Sequence, residues 1–390
     1  MHIFFSVGEP SGDQHAALLI RELRRTAPNV RVSGFGGPRM EQSGCQLLFP
    51  LTTLAVMGIL AVIPCLWKFF RLYRQACRYL TRHKPDLVVL VDFPGFNWWI
   101  AKAAKKRGIP VVYYLPPQLW AWAPWRIRKV RKYVDLVLSG LPFETEWYAQ
   151  RGIPALYVGH PFFDEVAAHP LDDAFLREWT TNEHLTVALL PGSRRHEVEN
   201  NWPLMLEAVR RLHEQHPRVQ FLVANYLDKH RQRCQSELQP ADQSLPLSFF
   251  VGKTPEIIEL ADCALMVSGS VSLEMLARDT PATVLYHTTW ANYVFGKAVV
   301  TVEYFSLPNL IAGRMVMPEH LSVGDPAPAI QQVTDDLNRW IGDPESLHAA
   351  RRELQTLKQR LYSTGATERV AQILLDRLPK TIPTPQSRAA

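Results

Sequence analysis

Short apolar runs, each about the length of a strand and most followed by helical periodicity, recur from the first residues to about residue 286. In the first half they are Ile3–Val7, Arg31–Phe35, Leu87–Val91, Val111–Leu115, Leu136–Ser139 and Leu156–Val158. In the second half they are Val187–Leu190, Val219–Ala224, Leu247–Val251, Ala264–Val267 and Ala282–Tyr286. A strand that is apolar on both faces must be covered on both faces, and strands separated by helices pair in parallel. The rhythm therefore predicts an α/β chain of doubly wound parallel sheets. It loosens at "PFFDEVAAHPLDDAFLREWTTNEH" (161–184), and 390 residues suit two domains. We expect a first domain over 1–165, a second over 166–360, a C-terminal helix over 361–380 and a disordered Pro-rich tail over 381–390. Two such domains facing a cleft would bind ligands beyond the carboxyl ends of their strands.

The composition, 47% hydrophobic and 21% charged, suits a soluble protein with real cores. A net charge of +6 suits anionic partners: nucleotide, phospholipid surface or nucleic acid. Cys45, Cys65, Cys77, Cys234 and Cys263 are odd in number and show no Cys-x-x-Cys spacing. That argues against a disulfide framework or zinc site and fits a reducing cytosol. Met1-His2-Ile3 enters a strand directly, without the basic region and cleavage site of a secretory signal. "LAVMGILAVIPCLW" (Leu54–Trp67) carries no charge, but it is interrupted by Pro64 and is shorter than the roughly 20 residues a spanning helix needs. The basic, aromatic "KFFRLYRQACRYL" follows it. Together they read as a membrane-surface element; the alternative is a buried segment with a solvated helix after it.

Three turns carry chemistry. "SVGEPSGDQH" (6–15) joins the first strand to the first helix, where a phosphate loop would normally sit, yet it holds Glu9, Asp13 and His15 beside Ser11 and Gly12. "LLPGSRRHEVE" (189–199) offers the free N–H groups of a helix start to an anion, with Ser193 in the turn and Arg194 adding a charge-assisted bond. "VSGSVSLEMLA" (267–277) repeats that design. Gly269 allows close backbone approach, Ser270 and Ser272 offer hydroxyls, and Glu274 can accept the hydroxyls of a ribose. Each has a plainer alternative: a capped turn with an exposed arginine, and a glutamate that stabilises its own helix dipole. Together they suggest a nucleotide diphosphate held by the second domain. No Asp-x-Asp spacing occurs, so no metal and no cofactor are expected.

In the first domain, "VDFPGFNWW" sets Asp92 at the carboxyl end of a strand. "YLPPQLWAWAPWRIRKVRKYVD" carries Arg126, Arg128, Lys129, Arg131 and Lys132, either an anion- or membrane-facing surface or a solvated helix. His160 in "YVGHP" reads as a hinge or packing residue.

"GEPSGDQHAALLI", "GGPRM", "LAVMGI", "VDFPGFN", "LWAW", "LPFE", "YVGHP", "LPGSR", "SGSVSLE" and "SLPNLIAG" come in this order from residue 8 to about 313. The chain thereby resembles the lipid-A-disaccharide synthases. The resemblance implies a GT-B fold of two Rossmann-like domains. It implies an inverting glycosyltransferase that moves a 2,3-diacylglucosamine from its UDP carrier to lipid X, giving the β-1',6 disaccharide 1-phosphate and UDP. Inversion needs one base for the acceptor 6-hydroxyl. Asp92 matches the family's strand-end aspartate and is the first choice, with Glu9 and Asp13 next as base or hydroxyl ligands. Ser11, Gly12, Ser193, Arg194, Gly269, Ser270, Ser272, Glu274 and Asn309 would contact the substrates. Val56, Met57, Ile59, Leu60, Val62 and Leu66 would meet acyl chains and membrane. The implied partners are UDP-diacylglucosamine, lipid X and the cytoplasmic surface of the inner membrane, bound peripherally. A homodimer is allowed, and nucleic acid is not expected.

The chain departs from the family pattern at Ala61, Gly95, Gln118, Ala123, His287 and Ser322. These changes suit an altered acceptor. Competing readings are a paralogue with another acceptor, a nucleotide-sugar epimerase of similar architecture, and a non-catalytic nucleotide or lipid binder.

Overall fold

The computed structural model describes residues 1–54, 66–180, 184–299, 302–361 and 364–377. Two compact units divide the chain: Met1–Asp164 with Ser363–Ala390, and Glu165–Tyr362.

The first unit is built on seven parallel strands: β1 (His2–Val7), β2 (Arg31–Phe35), β3 (Gln46–Phe49), β4 (Leu87–Val91), β5 (Val111–Tyr114), β6 (Leu136–Ser139) and β7 (Ala155–Tyr157). Their order is β3-β2-β1-β4-β5-β6-β7. Successive side chains of a strand point to opposite faces, so each apolar run feeds two cores. Phe4, Val88, Leu90 and Tyr113 enter one core; Ile3, Phe5, Val89, Val91 and Tyr114 enter the other. Helix Pro10–Thr26 lies on the second face through Ala16, Leu19, Ile20 and Leu23. Helix Ala366–Arg377 joins it there through Val370, Ala371 and Leu374. Asp164 fastens the start of that last helix by accepting the N–H groups of Gly365 and Thr367 at 2.6 and 2.8 Å. The C-terminal helix therefore belongs to the first unit.

The second unit holds β8 (Thr186–Leu190), β9 (Gln220–Asn225), β10 (Leu247–Val251), β11 (Cys263–Met266), β12 (Ala282–Thr288) and β13 (Glu319–Val323). The order is β10-β9-β8-β11-β12-β13, again all parallel. Helix Arg195–Gln215 packs Val198, Trp202, Met205 and Val209 onto the sheet.

Edge strands β3 and β13 have no counterpart among the expected apolar runs. Both are only partly buried, and "EHLSV" reads as polar. Helices Ala327–Gly342, Pro344–Leu361 and Ala366–Arg377 follow, the last of them within the span expected for a C-terminal helix. In each sheet the winding reverses beside the first strand. This switch point lies between β1 and β4 in one unit and between β8 and β11 in the other. Such a reversal leaves a crevice at the carboxyl ends of the two strands.

Candidate active site

In the first unit, β1 and β4 end side by side, with Val7 in register with Val91. Glu9 and Asp92 each follow two or one residues later, so the sheet brings the two turns together. Asp92 and Phe93 both adopt left-handed backbone, with φ of 43° and 45°, and Leu115 beyond β5 has φ of 47°. Non-glycine residues avoid this region, at a cost of about 1–3 kcal/mol each. A dense set of hydrogen bonds holds the strained turn. The Asn97 amide donates to Asp92 O at 2.7 Å and to Val91 O and Ser6 O at 3.1 Å, while its Oδ1 accepts from Ser6 Oγ at 2.7 Å. Tyr113 donates to Asp92 O at 2.7 Å, and Asp92 N donates to Leu115 O at 3.3 Å. Gly8 is required here: a Cβ would lie 2.2 Å from the Phe93 ring.

The half-buried Asp92 carboxyl is pushed above the usual carboxylate range by burial, against the Phe93 N–H and nearby His15, which favour the anion. His15 meets His160 edge-on at 5.9 Å. Burial, with His15 adding to it, pushes His160 down to about 3 and keeps it neutral. A carboxyl of raised basicity near an imidazole is an arrangement that can take up a proton.

Asp13 has a different task. Its Oδ1 accepts the N–H groups of Gly37 and Met40 at 2.9 and 3.1 Å, and its Oδ2 accepts that of Arg39 at 3.1 Å. The carboxylate thus sits as an internal anion at the start of helix Pro38–Gln42. Gly12 allows close packing: a Cβ there would lie 3.0 Å from Val7 Cγ1. Ser11 is exposed, and Glu9 is half-buried at the N-cap of helix Pro10–Thr26.

In the second unit, Leu190 and Met266 end β8 and β11 in register, so the two phosphate-type turns are neighbours. The first turn differs from its expected form. The N–H groups of Ser193 and Arg194 are not free; they donate to Glu197 Oε2 at 3.0 and 3.1 Å, and Arg194 Nη1 reaches Glu197 Oε1 at 3.0 Å. Gly192 has φ of 118°, and a Cβ there would strike Glu197. The Arg194 side chain nevertheless stays 54% exposed, which leaves guanidinium edge for an anion. Glu197 at N3 reaches back to the N-cap N–H as in a capping box, but arginine in place of Ser or Thr at the N-cap hides that signal in the sequence.

In the second turn, Gly269 and Ser270 are exposed. Ser272 is buried and donates to Gly269 O at 2.8 Å. Glu274 is buried and accepts from Arg278 Nε at 3.1 Å; burial raises its pKa despite that partner. Asn309 uses every hydrogen-bonding position within the protein. It donates to Met317 O and Glu319 Oε1, both at 2.7 Å, and accepts from the N–H groups of Val316 and Met317 at 2.7 and 2.9 Å.

Of the expected acyl and membrane contacts, Val56, Met57, Ile59, Leu60 and Val62 lie outside the described residues, as does Ala61. Leu66 is 57% exposed, and Trp67 and Phe70 beside it are 75% and 50% exposed. Trp67, Phe70, Arg71, Arg74, Gln75 and Arg78 line a groove of about 350 Å³ on helix Leu66–His83.

Two doubly wound parallel-sheet units, each with polar side chains at its switch point, define a GT-B-type protein. UDP-GlcNAc 2-epimerase from Neisseria meningitidis shares the fold with a TM-score of 0.67 at 13% identity, over 96% of this chain and 100% of that one. MurG from Acinetobacter baumannii does so with a TM-score of 0.60 at 16% identity, over 96% and 99%. At such identities the likeness concerns the fold alone. Sequence goes further: the family model described as lipid-A-disaccharide synthetase matches residues 3–338. The lipid-A-disaccharide synthase of Geobacter sulfurreducens is 32% identical over 383 residues, 97% of this chain and 98% of its own. The chain belongs to the lipid-A-disaccharide synthase family.

Proposed function

We propose that this chain joins the 2,3-diacylglucosamine of its UDP carrier to the 6-hydroxyl of lipid X, with Asp92 as the base. The observation that carries the residue assignment is the placement of Asp92: a carboxyl of raised pKa, in strained backbone, at the switch point of the first unit. As the acceptor oxygen attacks the anomeric carbon, its proton passes to the Asp92 carboxylate. The new C–O bond forms as the bond to the diphosphate breaks, and UDP leaves with the electron pair. Attack opposite the α-linked leaving group gives the β product. Glu9 orders acceptor hydroxyls beside Asp92, while Asp13 is architectural. Arg194, with the exposed Gly269–Ser270 turn, meets the charge that develops on UDP; Glu274 and Asn309 hold the frame around that turn.

Helix Leu66–His83 supports peripheral binding at the cytoplasmic face of the inner membrane. Its exposed Leu66, Trp67 and Phe70 adjoin Arg71, Arg74 and Arg78, the pairing of apolar and cationic groups that an anionic lipid surface favours. Among the described residues no helix is long and apolar enough to cross a membrane.

The test incubates purified protein with UDP-2,3-diacylglucosamine and lipid X while UDP release and product mass are followed together. UDP plus a tetra-acylated disaccharide 1-phosphate is expected. UDP binding without either product would overturn the reading.

A further inference from the structure

Glu144 plays no part in the transfer just described, yet it is one of the most deeply buried carboxyls in the chain, 3% exposed in helix Pro142–Ala149. Trp120 Nε1 donates to its Oε1 at 2.9 Å, and Ser139 Oγ lies 2.6 Å from its Oε2. The same Ser139 Oγ lies 3.0 Å from Leu141 O and accepts the Leu141 N–H at 3.1 Å.

A serine hydroxyl has one proton to give. If Ser139 gives it to a Glu144 carboxylate, its own contact with Leu141 O carries no proton, and that carbonyl is left to the Thr145 N–H and Oγ1–H, both at 3.2 Å. If Ser139 gives it to Leu141 O, the 2.6 Å contact sets two lone-pair oxygens against each other unless Glu144 carries a proton. One arrangement makes every short contact a hydrogen bond: Glu144 O–H donates to Ser139 Oγ, and Ser139 O–H donates to Leu141 O. The charges around the site agree. Among the described residues none of Glu144's partners is a cation. The titratable groups facing it are Asp92 from the end of β4 and Tyr148 from its own helix. Burial pushes the Glu144 carboxyl up to about 7 against the Ser139 and Trp120 hydrogen bonds, which favour the anion, and the nearby Asp92 adds to the rise.

We propose that Glu144 is a neutral carboxylic acid that acts as a positioning residue, holding the segment after β5 through Trp120. That segment begins at Leu115, whose carbonyl takes the Asp92 N–H, and continues to helix Leu119–Trp122, which contains Trp120. Tyr148, one turn beyond Glu144, adds a contact to Pro117 O at 3.4 Å. The helix thus braces the loop against which the strained Asp92 turn rests. The effect on catalysis rests on the reading of Asp92 as the base; the protonation of Glu144 does not.

Glutamine copies the acid, since its amide N–H can donate to Ser139 and its oxygen can accept from Trp120. Wild type is expected to lose kcat/KM as Glu144 ionises on the alkaline side; Glu144→Gln is expected to keep most turnover at neutral pH and to lack that fall. Glu144→Ala loses both bonds and is expected to drop turnover about tenfold. Infrared difference spectra of wild type against Glu144→Gln, taken at mildly acidic pH, should show the carbonyl band of a protonated carboxyl. That readout needs no activity, so it separates failure of this inference from failure of the Asp92 assignment. A missing band would overturn the proposal, as would a Gln variant as inactive as the Ala variant or an alkaline limb unchanged by Gln.

Discussion

His287 and Ser322 stand opposite each other across β12 and β13, with the imidazole Nδ1 2.8 Å from the serine hydroxyl. Both positions read in the sequence as departures from the family pattern, and the fold puts the two side chains in contact. They lie in the second unit, and the His287 N–H donates to Asn201 Oδ1 at 2.7 Å on the helix that follows the Arg194 turn. The pair therefore acts on the sheet that supports the Arg194 turn. A double-mutant cycle of His287→Ala and Ser322→Ala should give a coupling of about 1 kcal/mol in unfolding free energy. A coupling near zero would mean that the contact carries no energy and that the two changes are independent.

Asp92→Asn removes the carboxylate proposed as the base while its amide still fits the turn. Turnover should fall about 10²- to 10⁴-fold with UDP affinity unchanged. Because burial raises the Asp92 pKa, the reactive carboxylate exists only above that raised value. In wild type, kcat/KM should therefore rise with pH through a midpoint above the ordinary aspartate value of about 3.9. A rate left nearly intact by Asp92→Asn would move the assignment to Glu9.

Asp13→Ala should act on stability. It leaves three backbone N–H groups of the Gly37–Met40 turn without their acceptor, two of them buried. The expected loss is about 2–3 kcal/mol in a denaturant melt, with UDP affinity kept. An unchanged melt with lost turnover would instead make Asp13 a catalytic group.

The sheets were legible because their central strands are buried on both faces, which forces continuous apolar runs such as "LVVLV" in β4. The edge strands β3 and β13 escape this rule, unlike the apolar edge strands β7 and β10: β13 has a solvent-facing side and pairs through its backbone, so Glu319 and His320 conceal it. Asp92 was legible because it follows an apolar run directly. Asn97 was not, because its role depends on reaching the carbonyls of two different strands, a tertiary fact. Asp13 and Glu197 show a related limit. A carboxylate near a helix start reads equally as ligand or cap, and only the N–H groups around it decide.

Gly95 marks a departure that the fold leaves open. It is exposed in the first turn of helix Pro94–Lys105, and a Cβ there would find nothing within 4 Å. Gly95→Asp should stabilise the chain by about 0.5–1 kcal/mol, through helix propensity and the dipole. The new charge is three residues from Asp92, so it should also move the acid limb of kcat/KM upward. A lower melting temperature would show that the turn needs glycine for a reason other than space.

Glu144 also sets a pH dependence of stability whose sign follows from its shift. An unfolded glutamate releases its proton near 4.5, whereas the folded one holds it to about 7. Between those values the native state binds the extra proton, so raising the pH removes stability across this window and changes little above it. A shift of this size corresponds to about 3 kcal/mol. Glu144→Gln cannot ionise and lacks this contribution. Denaturant melts of both proteins at about pH 5 and pH 8 should show wild type losing about 2–3 kcal/mol more than the variant as the pH rises, since part of the loss is already made at pH 5. Parallel losses would mean that Glu144 ionises as easily when folded as when unfolded, which its burial without a cation argues against.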